Sequence, residues 1–276
     1  MNNVVVRSIS GVGFILAMLA CLMFNKFLFA GLIIFIMSVM LLEFYHITMG
    51  NSYTFSKVLA IIAAIFLFGL LFATASYHIP IRFVAFAMVP IFIVMINSLY
   101  VKDKDEYGKF SNIYTGLLYI AVPIALSNLI AFDKAGNFSG NLLLCFFIII
   151  WCSDVGAFAF GISLGKIFPQ KLFPSVSPKK TWIGFIGGLV SSVLAAFALY
   201  EFGILKFPLI HCLILSFIMS VTGFYGYLFE SQWKRRLSVQ DSGKIIPGHG
   251  GMLDRFDSSL MAIPAAALYL LIFGLL

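Results

Sequence analysis

Nine apolar runs of roughly membrane-spanning length divide this sequence, and they restrict the fold more than any other feature. They are Ile9–Phe24, Phe27–Phe44, Val58–Thr74, Phe83–Ile96, Ile113–Phe132, Leu142–Ile162, Trp182–Tyr200, Phe207–Phe224 and Leu260–Leu276. A helix of about 20 apolar residues crosses the ~30 Å hydrocarbon core, and it can do so alone because it satisfies its own backbone polar groups. The chain is 62% hydrophobic and 11% charged, whereas soluble domains run about 45–50% and 25%. The expected fold is therefore all-α, a polytopic transmembrane helical protein of about nine spans. Only Asn25 and Lys26 separate the first two runs, which predicts a tight hairpin or one broken helix. The first run lacks a small-x-small cleavage site and is expected to be retained. Cys21, Cys145, Cys152 and Cys212 all fall in apolar runs without metal-ligand spacing, so they are expected to be small core residues.

The loops orient the chain. With the N-terminus inside, Arg7, Lys57, Lys102, Lys104, Lys109, Lys166, Lys171, Lys179, Lys180, Lys234, Arg235, Arg236, Lys244 and Arg255 fall inside, against Lys26, Arg82, Lys134 and Lys206 outside. Positive residues favour the cytoplasmic side. That bias also accounts for most of the formal charge of +7, so no nucleic-acid partner is expected. Two loops rich in Gly, Pro and Lys, residues 163–181 and 228–258, share that face. Residues 1–110 are expected to form a scaffold of transmembrane helices, in which Glu43, His46 and His78 are interfacial and 102–109 is a solvated loop. Residues 111–276 are expected to form a catalytic region carrying the two motif loops.

Three places in the second half demand chemistry. Asp154 lies in a long apolar run; intramembrane acids usually face a cavity, a cation or a partner charge, although Asp154 could also cap a helix starting at that point. Ser177, Lys179, Lys180 and Thr181 precede an apolar run with Gly184, Gly187 and Gly188. This suits a phosphate site at a helix N-terminus, or simply a basic membrane flank with a Ser/Thr cap. Residues 231–258 are the most specific. Glu230 and Lys234 would pair on a helix, while Gly248, Gly250 and Gly251 let the backbone approach an anion to which His249 could donate. Asp254 and Asp257 would share a helix face and could hold Mg²⁺ against substrate phosphates; acids in a first helical turn also suit the helix dipole, with Arg235 and Arg255 as partners.

The order Ser231, Lys234-Arg235, Asp241-Ser242-Gly243, Pro247-Gly248-His249-Gly250-Gly251 and Asp254-Arg255-Phe256-Asp257-Ser258 resembles the C-terminal pattern of phosphatidate cytidylyltransferases (CDP-diacylglycerol synthases). Ser177 to Trp182, and Asp154 with Gly156-Ala157, resemble the same family in the expected order. The resemblance covers roughly the second half of the chain. It implies transfer of CMP from CTP to phosphatidate at the cytoplasmic face, giving CDP-diacylglycerol and pyrophosphate, with CTP, phosphatidate and membrane lipids as partners. A homodimer is implied only by the resemblance.

It further implies Mg²⁺, with room for a second cation, on Asp154, Asp254, Asp257 and Glu230. The implied catalytic set is Asp154, Lys234, Arg235, Asp241, Asp254, Arg255 and Asp257. Substrate would be held by Ser177, Lys179, Lys180, Thr181, Ser242, His249, Gly250 and Gly251. The expected location is a bacterial inner membrane with the N-terminus cytoplasmic. Three positions depart from the pattern: Ile183 where the family usually has Glu, Tyr227 where it has Asp, and Gln240 where it has Lys. A phenol is a poor Mg²⁺ ligand at neutral pH. These losses motivate a second reading, a catalytically lapsed paralogue that binds anionic lipid or nucleotide. A transporter of an anionic solute would call for paired broken helices and an internal repeat, and none is evident.

Overall fold

A computed structural model describes residues 3–101 and 104–276. Lys102 and the side chains of Arg7 and Lys104, counted above among the inside cations, lie outside the described residues. Helices α1 (Asn3–Phe24) and α2 (Lys26–Met49) are separated by one extended residue, Asn25, whose side chain accepts from the Phe27 N–H at 2.8 Å. A short polar residue that can cap a helix start thus breaks the long apolar stretch. Helix α3 (Thr54–Tyr77) is followed by a 3₁₀ segment, Ile81–Ala87, that runs into α4 (Met88–Ser98). Next come α5 (Lys104–Phe110), α6 (Asn112–Gly116), a π-helical turn at Leu117–Ala121 and α7 (Val122–Ala131). Pro123 explains the π turn: it has no N–H to donate and its ring would crowd the carbonyl of Tyr119, so the backbone widens just before it.

Helix α8 (Asn141–Ser163) leads to a two-stranded antiparallel hairpin, β1 (Lys171–Phe173) and β2 (Ser177–Thr181), in which Lys171 pairs with Thr181. Helices α9 (Trp182–Glu201), α10 (Leu209–Arg236) and α11 (Leu253–Ile272) complete the chain. Among the described residues, eight helical stretches are long and apolar enough to cross a membrane, and Ser10–Phe24 is a shorter apolar one. The chain is thus an all-α polytopic membrane protein, with about as many spans as expected.

Four local expectations are corrected. Residues 163–181 contain the β-hairpin rather than only loop. Lys104–Phe110 is helical rather than loop, with Tyr107, Gly108 and Lys109 exposed. The stretch from 228 to Arg236 continues α10, because Glu230 and Lys234 pair along the helix and three cations suit its C-terminal end. The last helix begins at Leu253, not Leu260, although Asp254 and Asp257 lie at its start on one helix, as their spacing predicts.

By packing, the chain forms two compact units: Met1–Ser139 with Val239–Arg255, and Gly140–Ser238 with Phe256–Leu276. In the first, α3 packs on α7, α4 and α2. Its core includes the fully buried Phe29, Phe44, Tyr45 and Phe68, and the Tyr45 hydroxyl donates to the Ile113 carbonyl at 3.0 Å. In the second, α8 and α9 pack most extensively. Their backbones approach at Gly156 and Gly188, where an added Cβ would lie 2.8 Å from the Gly187 carbonyl oxygen and 3.0 Å from that of Ser153. Within the second unit, two pairs of helices thus approach closely at their backbones, since α10 also meets α11 at Gly226. A Cβ there would lie 2.5 Å from the Asp257 carbonyl oxygen.

Gly226→Ala should consequently push α10 off α11 and cost about 1–3 kcal/mol, as overpacking does. The unfolding midpoint in detergent should fall for Gly226→Ala and hold or rise slightly for Gly69→Ala, where an added methyl meets nothing within 4 Å.

Candidate active site

In the second unit, Asp154 sits inside α8, one unbroken helix that starts at Asn141. It is therefore not a helix cap, and it is exposed on a narrow cleft also lined by Ser153, Lys180, Ser220, Tyr227 and Ser258. The cleft encloses about 10 Å³, room for about one water or ion. Ser153 and Ser220 share a hydrogen bond of 2.7 Å between α8 and α10. The hairpin closes over the cleft through side chains: Ser177 Oγ and the Tyr227 hydroxyl lie 3.1 Å apart, and the Lys180 ammonium stands 4.3 Å above the Tyr227 ring. Arg235 Nε donates to the Val176 carbonyl at 3.3 Å. One helix, α10, thus holds the hairpin at both Tyr227 and Arg235.

Thr181 takes the capping role: its Oγ1 accepts from the Gly184 N–H at 3.2 Å and starts α9. Lys179 is exposed on the hairpin. Glu230, 2% exposed, forms an ion pair with Lys234 at 3.2 Å across one helical turn. Asp257 is buried and its Oδ1 accepts from the Ser258 N–H at 2.6 Å.

In the first unit, the loop 237–252 is built around two carboxylates. Asp254 Oδ2 accepts from the Ser242 and Gly251 N–H groups at 3.0 and 2.8 Å. Glu43, from α2, accepts from the Ser242 hydroxyl at 3.2 Å and from the Met252 and Leu253 N–H groups at 3.0 and 2.9 Å. The first N–H groups of a helix have no partner within it, and here a side chain more than 200 positions away supplies one. Gly250 has φ +80°, and a Cβ there would lie 2.9 Å from Asp254 Oδ2 and 3.4 Å from the Asp241 carboxyl. A Cβ at Gly251 would overlap Ser242 Oγ. The glycines thus let the loop fold over its own carboxylates. Ser10 Oγ donates to the Pro247 carbonyl at 2.9 Å and also lies 2.9 Å from His249 Nδ1. Ser10 has one proton, so with that proton on Pro247 the imidazole Nδ1–H donates. Arg255 is exposed.

The structure therefore brings Asp154, Ser177, Lys180 and Tyr227 together in one unit, and Asp241, Ser242, Gly250, Gly251 and Asp254 together in the other. Glu43 was expected to be merely interfacial, and so was missed as a loop-holding residue. A lone acid well inside an apolar helix is the signal that marks it, as it marks Asp154. The N-terminal half is accordingly more than scaffold.

For a divalent cation, no three His, Cys, Asp or Glu side chains are gathered among the described residues. Mg²⁺ is commonly held by only one or two carboxylates and completed by water and substrate phosphates. An ion-sized cleft with one carboxylate and several hydroxyls on its wall fits that pattern.

Fold and site together define a polytopic helical membrane protein whose polar chemistry is concentrated on a basic hairpin, an intramembrane carboxylate and a glycine-rich loop. A model described as the cytidylyltransferase family matches residues 5–273, and the chain belongs to that family. It is 43% identical over 124 residues to a protein of Staphylococcus saprophyticus named phosphatidate cytidylyltransferase, covering 45% of this chain and 46% of the relative. A protein of the same name from Bacillus subtilis is 37% identical over 183 residues, covering 66% of this chain and 64% of the relative. A third, from Staphylococcus aureus strain COL, is 44% identical over 124 residues, covering 45% of this chain and 46% of the relative. Each match thus spans less than two thirds of the relative's length.

Replacing Glu43 by Gln should keep the side-chain volume but lose the charge that serves three donors, at about 1–3 kcal/mol. Trypsin should then cut the full chain after Lys244 several-fold faster, which peptide mapping of a timed digest would read.

Proposed function

We propose that this chain is a phosphatidate cytidylyltransferase. A phosphate oxygen of phosphatidate attacks the α-phosphorus of CTP, one P–O bond forms, the bond to the β-phosphate oxygen breaks, and pyrophosphate leaves with CDP-diacylglycerol as product. The observation that carries this reading is the convergence of Asp154, Lys180 and Tyr227 on one cleft among membrane-spanning helices, with Ser177 hydrogen-bonded to Tyr227 at its edge. Relatives named for that activity support it.

The acceptor phosphate is already anionic at neutral pH, so the reaction needs no strong general base. It needs alignment and charge neutralisation. Lys179 and Lys180 on the hairpin, with Lys234 and Arg235 of the same unit, supply positive charge to phosphates. The Tyr227 ring fixes the Lys180 ammonium without neutralising it, because a phenol carries no charge at neutral pH. Within the second unit, Asp154 and Asp257, with Glu230 as a further carboxylate, would hold Mg²⁺, with a second cation as an option. Bound there, Mg²⁺ would supply charge neutralisation at the triphosphate. The cation asymmetry of the loops supports a cytoplasmic N-terminus and a site facing the cytoplasm of a bacterial inner membrane.

One observation favours a second reading, binding of CTP or phosphatidate without turnover: Tyr227 stands where the family pattern usually has an acid. Pyrophosphate release by the detergent-purified chain with CTP, phosphatidate and Mg²⁺ separates the two. Release should require both substrates and fall by at least about 100-fold in Asp154→Asn. If the natural chain is silent and Tyr227→Asp is active, the protein is a lapsed enzyme.

A further inference from the structure

The first unit contains a second cavity, of about 470 Å³, at the turn between α2 and α3. That volume is in the range of small-molecule sites. Its wall includes His46, Lys57 and Lys244, with Leu42, Tyr45 and Ile245 between them. Lys57 is 8% exposed, and its ammonium is held by the Gly50 carbonyl at 2.5 Å. Among the described residues no carboxylate pairs with it. The one acid on the wall, Glu43, spends its charge on the Ser242 hydroxyl and on the two N–H groups that begin α11. The cavity is therefore cationic, and a buried ammonium offset only by a helix-terminal carbonyl is costly unless an anion joins it.

Two features indicate what kind of anion. The cavity lies where two membrane spans, Lys26–Met49 and Thr54–Tyr77, end and begin, at the depth of lipid headgroups. Leu42 and Ile245 are exposed apolar side chains on its wall, which suit acyl chains better than a free ion. We propose that this cavity seats an amphiphilic phosphate monoester, its phosphate on Lys57, Lys244 and His46 and its first methylenes against Leu42 and Ile245. Taking that ligand to be the acceptor lipid rests on the function proposed above. The loop that carries Ser242 and Lys244 then has two roles, because the bonds from Glu43 that fold it also bring Lys244 to the lipid phosphate.

The test is calorimetric titration of the full detergent-purified chain with dioctanoyl phosphatidate, inorganic phosphate and CTP. Lys57→Met and Lys244→Gln should each weaken dioctanoyl phosphatidate about tenfold or more, the loss expected for a charge-assisted hydrogen bond. CTP affinity should stay within about twofold, and inorganic phosphate should bind far more weakly than the lipid. Lys57→Met also removes the bond to Gly50, so Lys244→Gln, which changes an exposed side chain, decides the matter if Lys57→Met does not fold. Unchanged lipid affinity, a loss confined to CTP, or phosphate binding as tightly as lipid would each overturn the assignment. Pyrophosphate release measured in parallel keeps the two proposals apart. Lipid binding through Lys244 without release sinks the enzyme and leaves the cavity. Release with an unchanged KM for phosphatidate in Lys244→Gln sinks the cavity and leaves the enzyme.

Discussion

The carboxylate of Glu43 at the start of the last helix is the contact on which the first unit depends. A helix that begins beside a membrane core has N–H groups that neither its own turns nor lipid can satisfy. Glu43 serves Met252 and Leu253 directly and reaches the loop through Ser242. Asp254, one residue into that helix, folds back to bind Ser242 and Gly251. Two negative charges at one helix N-terminus are tolerable because the oriented N–H groups face them. The glycine-rich loop is thus wound around anions belonging to the protein itself.

The second unit solves a different problem, that of placing a basic hairpin over the Asp154 carboxylate. Backbone pairing makes the hairpin, but its attachment to α10 runs through the Tyr227 hydroxyl, the Tyr227 ring and the Arg235 guanidinium. The glycines of α8, α9 and α10 bring the helix backbones close enough for those side chains to meet. Where α10 meets α11, Gly226 also sets Tyr227 beside the turn that carries Asp257.

Much of this was legible in the sequence. The spans follow from hydropathy alone, and Asp154 declared itself as a charge where charge is expensive. The pairing of Glu230 with Lys234 follows from helical spacing. What could not be read was long-range partnership. Glu43 looks interfacial until Met252 and Leu253 are seen to need it, and Ser10 has no evident purpose until Pro247 and His249 arrive. The hairpin at 171–181 was hidden because seven of its eleven residues are Pro, Ser or Lys, which favour turns and caps over strands. At the last helix, hydropathy alone places the start at Leu260, since DRFDSS is too polar to continue an apolar run, while the spacing of Asp254 and Asp257 points to helix further upstream.

The contact between Ser177 and Tyr227 ties two positions 50 residues apart into one choice. A hydroxyl facing a phenol is a neutral match in which either group can donate. An acid at 227 would instead pair with the Lys180 ammonium, and it would need compensation from a cation or a metal ion. Changes at 177, 180 and 227 are therefore expected to travel together through the history of this chain, so that Tyr227 is one member of a linked set rather than an isolated loss.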